Sequence, residues 1–334
     1  MSGLRGEIHQ GTPQKQTAIW VAMVTIYIVW GSTYFAIRIA DKTIPPLYMA
    51  SVRFLIAGTI LFIYRLLSGD PFPTKLEWRS ARTIGLFLLL GGNGGVVWAE
   101  QRVPSSLAAL IVGAVPIWMV LMDIIKHRGR KPNGRVLGGI ILGFSGIMLL
   151  FWPGGSNEAN RIDPTASLVL IGSSISWAFG SLYSRNAKLP ISPLMGTSME
   201  MLAGGFGLLL FGTILGETRQ LNFHTISTSS LAGLIYLIIF GSLVGFVAYT
   251  WLLRVAPISL VSTYAYVNPL VAIIIGYIFG NETFTSRTLI AAGIILGSVV
   301  MMTTFKPPVE IAIQESSAII GSEELLYEPK ELPE

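Results

Sequence analysis

Two ionisable side chains, Arg53 and Glu200, stand well inside apolar runs of this 334-residue chain. A charge near the middle of a bilayer costs on the order of 3 kcal/mol on insertion scales unless it faces protein or water. A guanidinium so placed suits an anion or a carboxylate; a carboxylate so placed is a candidate proton carrier. Each follows a proline, Pro46 or Pro193, by seven residues, which at 1.5 Å per residue is roughly 10 Å of helix. If the two helices enter from opposite faces of a core about 30 Å thick, the charges are offset by roughly 10 Å and meet directly only with both side chains stretched. Both are therefore expected to face a cavity, Arg53 nearer the outside and Glu200 nearer the inside.

Other polar groups fall into the same apolar background. Pro116 and Pro269 interrupt spans at matching places and free the carbonyls four residues earlier, those of Val112 and Ala265. Tyr264, Tyr266 and Asn268 surround the second interruption, and Trp118 lies near the first. Trp30, Ser32 and Tyr34 in one span, and Trp177, Ser181 and Tyr183 in another, offer an aromatic wall with hydroxyls. Residues spaced i, i+2 do not share one helical face, so Tyr34 and Tyr183 are assigned to the aromatic belt at the membrane surface. Asn93, set in "GGNGG", and Trp98 complete the expected lining. Glu100, Asp123 and Glu282 sit at span ends or in a loop, where a charge is expected to be solvated or to orient a turn.

What is missing narrows the chemistry. There is no cysteine, and His9, His127 and His224 fall in a terminus or in loops. Thiolate chemistry is excluded, and no metal cluster or cofactor is expected. No lysine lies deep in an apolar run, no phosphate-binding glycine loop appears, and no nucleophile-base pair is available. An intramembrane enzyme is therefore the weakest reading, and a scaffold or sensor an intermediate one.

These residues need elements to hold them. Only 12% of the chain is charged while 52% is hydrophobic, so a soluble surface cannot be built. Ten apolar spans are expected, at 17–38, 46–67, 83–99, 104–123, 134–152, 165–183, 193–215, 230–252, 257–279 and 286–304, each near the length that crosses a bilayer. The longest loops are expected near 68–82, 153–164 and 216–229. The first run lacks a small-residue cleavage site and reads as a retained helix. If the amino terminus is inside, the inner segments hold sixteen of the 23 Lys and Arg and the outer loops six. The positive-inside rule then places both termini in the cytoplasm, and the pI near 9.4 records orientation rather than nucleic-acid binding. Residues 1–16 are a short cytoplasmic segment, and 305–334 an acidic tail expected to be disordered.

The two halves repeat. Trp30 precedes Pro46 as Trp177 precedes Pro193; Arg53 and Glu200 are each followed by small pairs, Ala57 and Gly58, Gly204 and Gly205. Trp98, Pro104 and Pro116 match Trp251, Pro257 and Pro269. The pentapeptide "GIILG" occurs at 139–143 and 293–297. Its Gly-x-x-x-Gly spacing makes Gly139, Gly143, Gly293 and Gly297 candidates for close helix packing. Five spans per half is an odd number, so the second half must be inverted. The expected fold is an all-α polytopic membrane protein, ten transmembrane helices arranged as two inverted five-helix repeats, 17–152 and 165–304, around a central cavity. Inverted repeats characterise secondary transporters.

The segments "VWGSTYFAIR" (29–38), "MASVRFLIAG" (49–58), "ISWAFGSLY" (175–183), "EMLAGG" (200–205) and "STYAYVNPLVA" (262–272) resemble the EamA family of the drug/metabolite transporter superfamily. The resemblance runs from about residue 17 to 304. It implies a ten-helix, five-plus-five fold with a central cavity in the cell inner membrane and export of small metabolites; the aromatic-rich, nearly uncharged cavity expected from the residues suits amphipathic metabolites such as amino acids or related compounds. Small multidrug members of that superfamily carry an essential glutamate in their first helix; here the first span has no acidic residue, which leaves Glu200 as the deep carboxylate. The expected partners are a small-molecule substrate and the lipid bilayer, without nucleic acid. Substrate identity, coupling ion and oligomeric state stay open, and a monomer satisfies the reading.

Overall fold

The structure, a computed structural model, describes residues 13–126, 134–151, 163–256, 258–280 and 286–303. Every regular element among them is helical: α1 (Pro13–Ala40), α2 (Pro46–Leu67), α3 (Lys75–Gly85), α4 (Gly95–Ala99), α5 (Ser105–Val112), α6 (Val115–Lys126), α7 (Gly134–Phe151), α8 (Pro164–Ser184), α9 (Pro193–Ile214), α10 (Thr228–Tyr236), α11 (Val247–Val255), α12 (Ile258–Val261), α13 (Tyr264–Gly280) and α14 (Ser286–Thr303). Two π-helical segments, Leu86–Gly94 and Leu237–Phe246, join α3 to α4 and α10 to α11. Five continuous helical stretches are long and apolar enough to cross a membrane: Lys15–Ala40, Pro46–Leu67, Pro164–Ser184, Pro193–Ile214 and Thr228–Val255. The acidic tail, Glu282, His9 and His127 lie outside the described residues.

Helix starts follow local chemistry. Prolines open α2, α8 and α9, where the absent N–H is not needed. Asp163 caps α8 by accepting from the N–H groups of Thr165 and Ala166 at 2.8 and 3.2 Å. The expected loop over 68–82 is shorter than predicted. Thr74 and Glu77 form a capping box, so the helix begins at Lys75 and carries its charged first turns out of the apolar run.

The proline interruptions also differ from expectation. Pro116 lies in the first turn of α6, and the break comes at Gly113 and Ala114, just after the Val112 carbonyl that the proline deprives of a donor. Pro269 stays inside α13, and the break in that half lies earlier, at Ser262 and Thr263. The two regions meet: a Cβ on Gly113 would sit 3.2 Å from both the Ala265 carbonyl oxygen and the Pro269 ring.

Corresponding helices pack antiparallel. Along α2 and α9, Leu47 lies against Gly212, Ser51 donates to the Gly205 carbonyl at 2.9 Å, and Gly58 lies against Met201 and Leu202. Along α7 and α14, Gly143 faces Ser298 and Gly146 faces Ile295, while Arg287 donates to the Leu149 carbonyl at 2.6 Å. The remaining contacts exchange halves. α1 packs on α13 and the second π segment, and α8 packs on α5, α6 and the first π segment.

The glycine pairs are used unequally. A Cβ on Gly143 would lie 2.4 Å from Ile117 Cδ1 and 2.8 Å from Ser298 Oγ, and Gly139 is buried. Gly293 and Gly297 are exposed, with no described heavy atom within 4 Å of an added Cβ. That corrects the expectation for the second copy. α14 turns its neighbouring stripe of Ala291, Ile295 and Ser298 inward, so its glycines face away.

Acidic residues just beyond α2 and α9 tie the antiparallel ends together. Glu217 accepts from the Leu47 and Tyr48 N–H groups at 3.2 and 2.9 Å, capping α2 from the far end of α9. Asp70 pairs with Arg65 at 2.5 and 2.8 Å, and Arg65, helped by Ser192 at the start of α9, holds its carboxyl below the usual range. Near Glu217, both oxygens of Asp41 are buried without a hydrogen-bond partner. Burial, reinforced by Glu217, raises that carboxyl well above its usual range.

Two outcomes are expected. Gly143→Leu lowers the yield of folded protein in size-exclusion profiles, whereas Gly297→Leu leaves it unchanged. Because the Asp41 pKa is raised on folding, its ionised form destabilises the fold, and this penalty grows as pH rises from the unfolded pKa to the folded one. Asp41→Asn therefore raises the melting temperature at neutral pH, and the gain shrinks on acidification.

Candidate functional site: two cavities and an aromatic layer

The first cavity is built at the crossing of the exchanged helices. α1 contributes Trp30, Thr33, Tyr34 and Ile37, one stripe at i, i+3, i+4 and i+7. The same periodicity selects Ser173 and Trp177 from α8, and Tyr264 and Asn268 from α13. The π segments bring Leu89, Gly92 and Asn93 from one side and Gly241 and Phe246 from the other, and α2 adds Arg53 and Phe54. About 60 Å³ of the cavity can take the centre of a water molecule. It is narrow, and a cargo of metabolite size needs side chains to move.

Arg53 crosses this space and is 3% exposed. Its Nε donates to Ser242 Oγ at 2.8 Å and its guanidinium carbon lies 4.6 Å from the centre of the Phe54 ring. A Cβ on Gly241 would come within 2.7 Å of its Nη2, so the π segment needs glycine there. Nη1 of Arg53 and Oδ1 of Asn93 are buried without a protein hydrogen-bond partner. A donor and an acceptor thus both lie at the cavity without a protein partner, a pairing that water or a polar ligand can supply.

Aromatic rings close one end. Trp30 meets Tyr249 at 4.8 Å between centroids, Tyr264 edge-on at 5.4 Å and Trp177 edge-on at 5.5 Å. Tyr249 also lies 5.5 Å from Trp177 and 5.6 Å from Tyr264. Hydrogen bonds fix the cluster. Trp177 Nε1 donates to the Tyr249 hydroxyl at 3.0 Å, that hydroxyl is 2.6 Å from Ser181 Oγ, and Trp30 Nε1 donates to the Gly241 carbonyl at 3.3 Å. Asn268, 3% exposed, is satisfied when its amide group donates to the carbonyls of Tyr264 and Tyr27, each at 3.2 Å.

A second cavity lies beyond this layer. Followed along α8, the lining passes from Ser173 and Trp177 in the first cavity to Ser184 in the second, with Ser181 between. Along the second π segment and α11 it passes from Gly241 and Phe246 to Thr250, Leu253 and Arg254, with Tyr249 between. Glu200 lines this second cavity, 2% exposed, with its Oε2 unpartnered. Arg53 and Glu200 therefore occupy different cavities on either side of one aromatic layer.

Several expectations need correction. Ser32 leaves the cavity: its hydroxyl is 2.6 Å from that of Tyr236 and donates to the Val29 carbonyl, because it sits off the stripe that holds Trp30. Tyr34, assigned to the belt, lies on that stripe and lines the cavity instead. Trp98 packs in a separate core, its ring 3.9 Å under the Arg102 guanidinium. Glu100, expected to be solvated, is 4% exposed, because the turn after α4 folds it and Val103 back against the bundle. The Tyr266 and Asp123 side chains lie outside what is described. Tyr249 and Arg254 had no place among the expected site residues. The available signal for Tyr249 was a tyrosine in the eighth apolar span beside Trp251; Arg254 had been counted only as a loop charge.

Removing the Tyr249 hydroxyl strands Trp177 Nε1, while Ser181 keeps its bond to the Trp177 carbonyl. Tyr249→Phe is expected to lower stability by about 1–3 kcal/mol and to shift the tryptophan emission spectrum.

The EamA-like transporter family matches this chain over residues 17–152 and again over 164–304. An Escherichia coli K12 protein named as an uncharacterized inner membrane transporter, YedA, is 39% identical over 307 residues, covering 89% of this chain and 96% of its own. A chloroplastic WAT1-related protein of Arabidopsis thaliana is 25% identical and covers 85% of this chain and 69% of its own. One solved crystal structure superposes with a TM-score of 0.60 at 18% identity, over 86% of this chain and 97% of that one, which is a likeness of fold. With two matched segments spanning nearly the whole described length, the chain belongs to the EamA-like transporter family.

Proposed function

We propose that the protein is a secondary transporter that exports small amphipathic metabolites, such as amino acids, across the inner membrane by alternating access between two inverted five-helix repeats. The observation that carries this reading is the pair of cavities separated by one aromatic layer. A channel has no need of such a layer, and a scaffold has no need of unsatisfied polar groups within it. The antiparallel pairing of α2 with α9 and α7 with α14, and the exchange of α1 and α8 between halves, support the inverted repeat. The E. coli relative is named as an inner membrane transporter.

With both termini cytoplasmic, α8 runs inward, so the first cavity opens toward the outside and the second toward the cytoplasm. Arg53 Nη1 and Asn93 Oδ1 make the first contacts with cargo from the outer side, Arg53 taking a carboxylate. Trp30, Trp177, Tyr249 and Tyr264 form the barrier that must part and re-form on the other side. The π segments supply the backbone freedom for that exchange, since each carries an i→i+5 stretch that a small rotation can convert. Glu200 is the residue through which proton coupling runs. No enzymatic role is proposed.

Purified protein in proteoliposomes loaded with amino acids tests the reading. Efflux above empty-vesicle leak is expected, with Arg53→Ala and Glu200→Gln inserting normally yet losing tenfold or more of the rate. Parent rates in both variants would remove the cavity role. A rate that is the same with and without a pH gradient would exclude obligatory proton coupling while leaving exchange down the substrate's own gradient.

A further inference from the structure

Resting on that reading, we infer that the second cavity is itself a ligand site, which takes a zwitterionic α-amino acid with its ammonium on Glu200 and its carboxylate on Arg254. The second cavity is the roomier one: about 280 Å³ of it can take the centre of a water molecule, against about 60 Å³ in the first. One guanidinium N–H of Arg254 donates to the Pro190 carbonyl at 3.1 Å. Gly196 makes room for its Nη2, which a Cβ there would approach to 2.5 Å. Gly196 and Glu200 are one turn apart on α9, so the guanidinium and the carboxylate flank the same helical face.

No ion pair among the described residues joins them, and Glu200 Oε2 is buried without a partner. A buried structural pair is expected to meet directly with its remaining lone pairs satisfied, because an unpaired buried charge is costly. Here both side chains line one cavity with no direct ion pair between them. A metal ion finds no supporting cluster among the described residues. A simple anion would leave Glu200 unsatisfied, and a simple cation would meet Arg254. A zwitterion satisfies both at once, and Leu88, Leu189 and Leu253 supply an apolar wall for its side chain.

The test is equilibrium binding of tritiated leucine to the full chain in lipid nanodiscs, with leucinamide, which lacks the carboxylate, and N-acetylleucine, which lacks the ammonium, as competitors. The parent is expected to prefer leucine to each analogue by tenfold or more. Glu200→Gln should erase the preference over N-acetylleucine, and Arg254→Gln the preference over leucinamide. Arg254→Lys, which keeps the charge, should retain part of it and stands in if a neutral variant fails to fold. A parent that does not bind leucine, or that shows no preference between leucine and either analogue, overturns the site. So does selectivity unchanged in the neutral variants. Efflux measured in parallel separates the two ideas. Amino-acid efflux with unselective binding ends the inner site alone, and selective binding without any efflux ends the transport reading alone.

Discussion

A hydrocarbon core offers no partner to a bare guanidinium or to a carbonyl released from its helix, and that constraint organises the molecule. Polar groups and irregular backbone are tolerated at membrane depth only where protein or a cavity surrounds them. Arg53, the two π segments and the break at Gly113 all converge on the first cavity. Arg53 itself is buried, and the π segments show the outside only apolar side chains such as Phe87, Ile239 and Phe240. The outward faces are long apolar side chains such as Ile56, Ile60 and Leu210, which ask nothing of the lipid.

The same constraint explains why the halves interlock. A five-helix half alone would expose its π segment, but the exchange sets α8 against the first π segment and α1 against the second. α2 and α9 then seal the centre, with small residues and backbone contacts at Ser51 and Gly205 and with Glu217 closing one end. Chemically the halves are unequal. The Arg53 end is narrow and carries a buried cation, while the Glu200 end is wide and carries a buried anion with Arg254 nearby. Arg53 and Glu200, each seven residues after a helix-opening proline, thus line different cavities on opposite sides of the aromatic layer.

Much of this was legible from apolar run length, because a helix in lipid has little choice about where to start and stop. The spans read at 46–67 and 193–215 became α2 and α9 within a residue. Arg53, Trp30, Trp177, Tyr264 and Asn268, which line the first cavity, stand out in the sequence as polar and aromatic groups against an apolar background. What failed did so for geometric reasons. A 3.6-residue period does not describe a π segment, so the facing of Gly241 and the central position of Tyr249 could not be read from spacing. Gly-x-x-x-Gly says that two glycines share a face but not which face is turned inward; Gly143 packs and Gly297 does not. Ser32 and Trp98 were chosen by type, and helix rotation decided otherwise.

The central claim is that the aromatic layer separates two cavities that open to opposite sides in turn. The chain contains no cysteine, so single cysteines can be placed at Thr33 in the first cavity and Ser184 in the second without altering a background. Labelling by a membrane-impermeant maleimide in oriented vesicles then reports access. The account predicts that Thr33→Cys reacts only from outside and Ser184→Cys only from the cytoplasmic side, and that a transported substrate shifts the two rates in opposite directions. Labelling of both positions from the same side, or rates that substrate leaves unchanged, would contradict it.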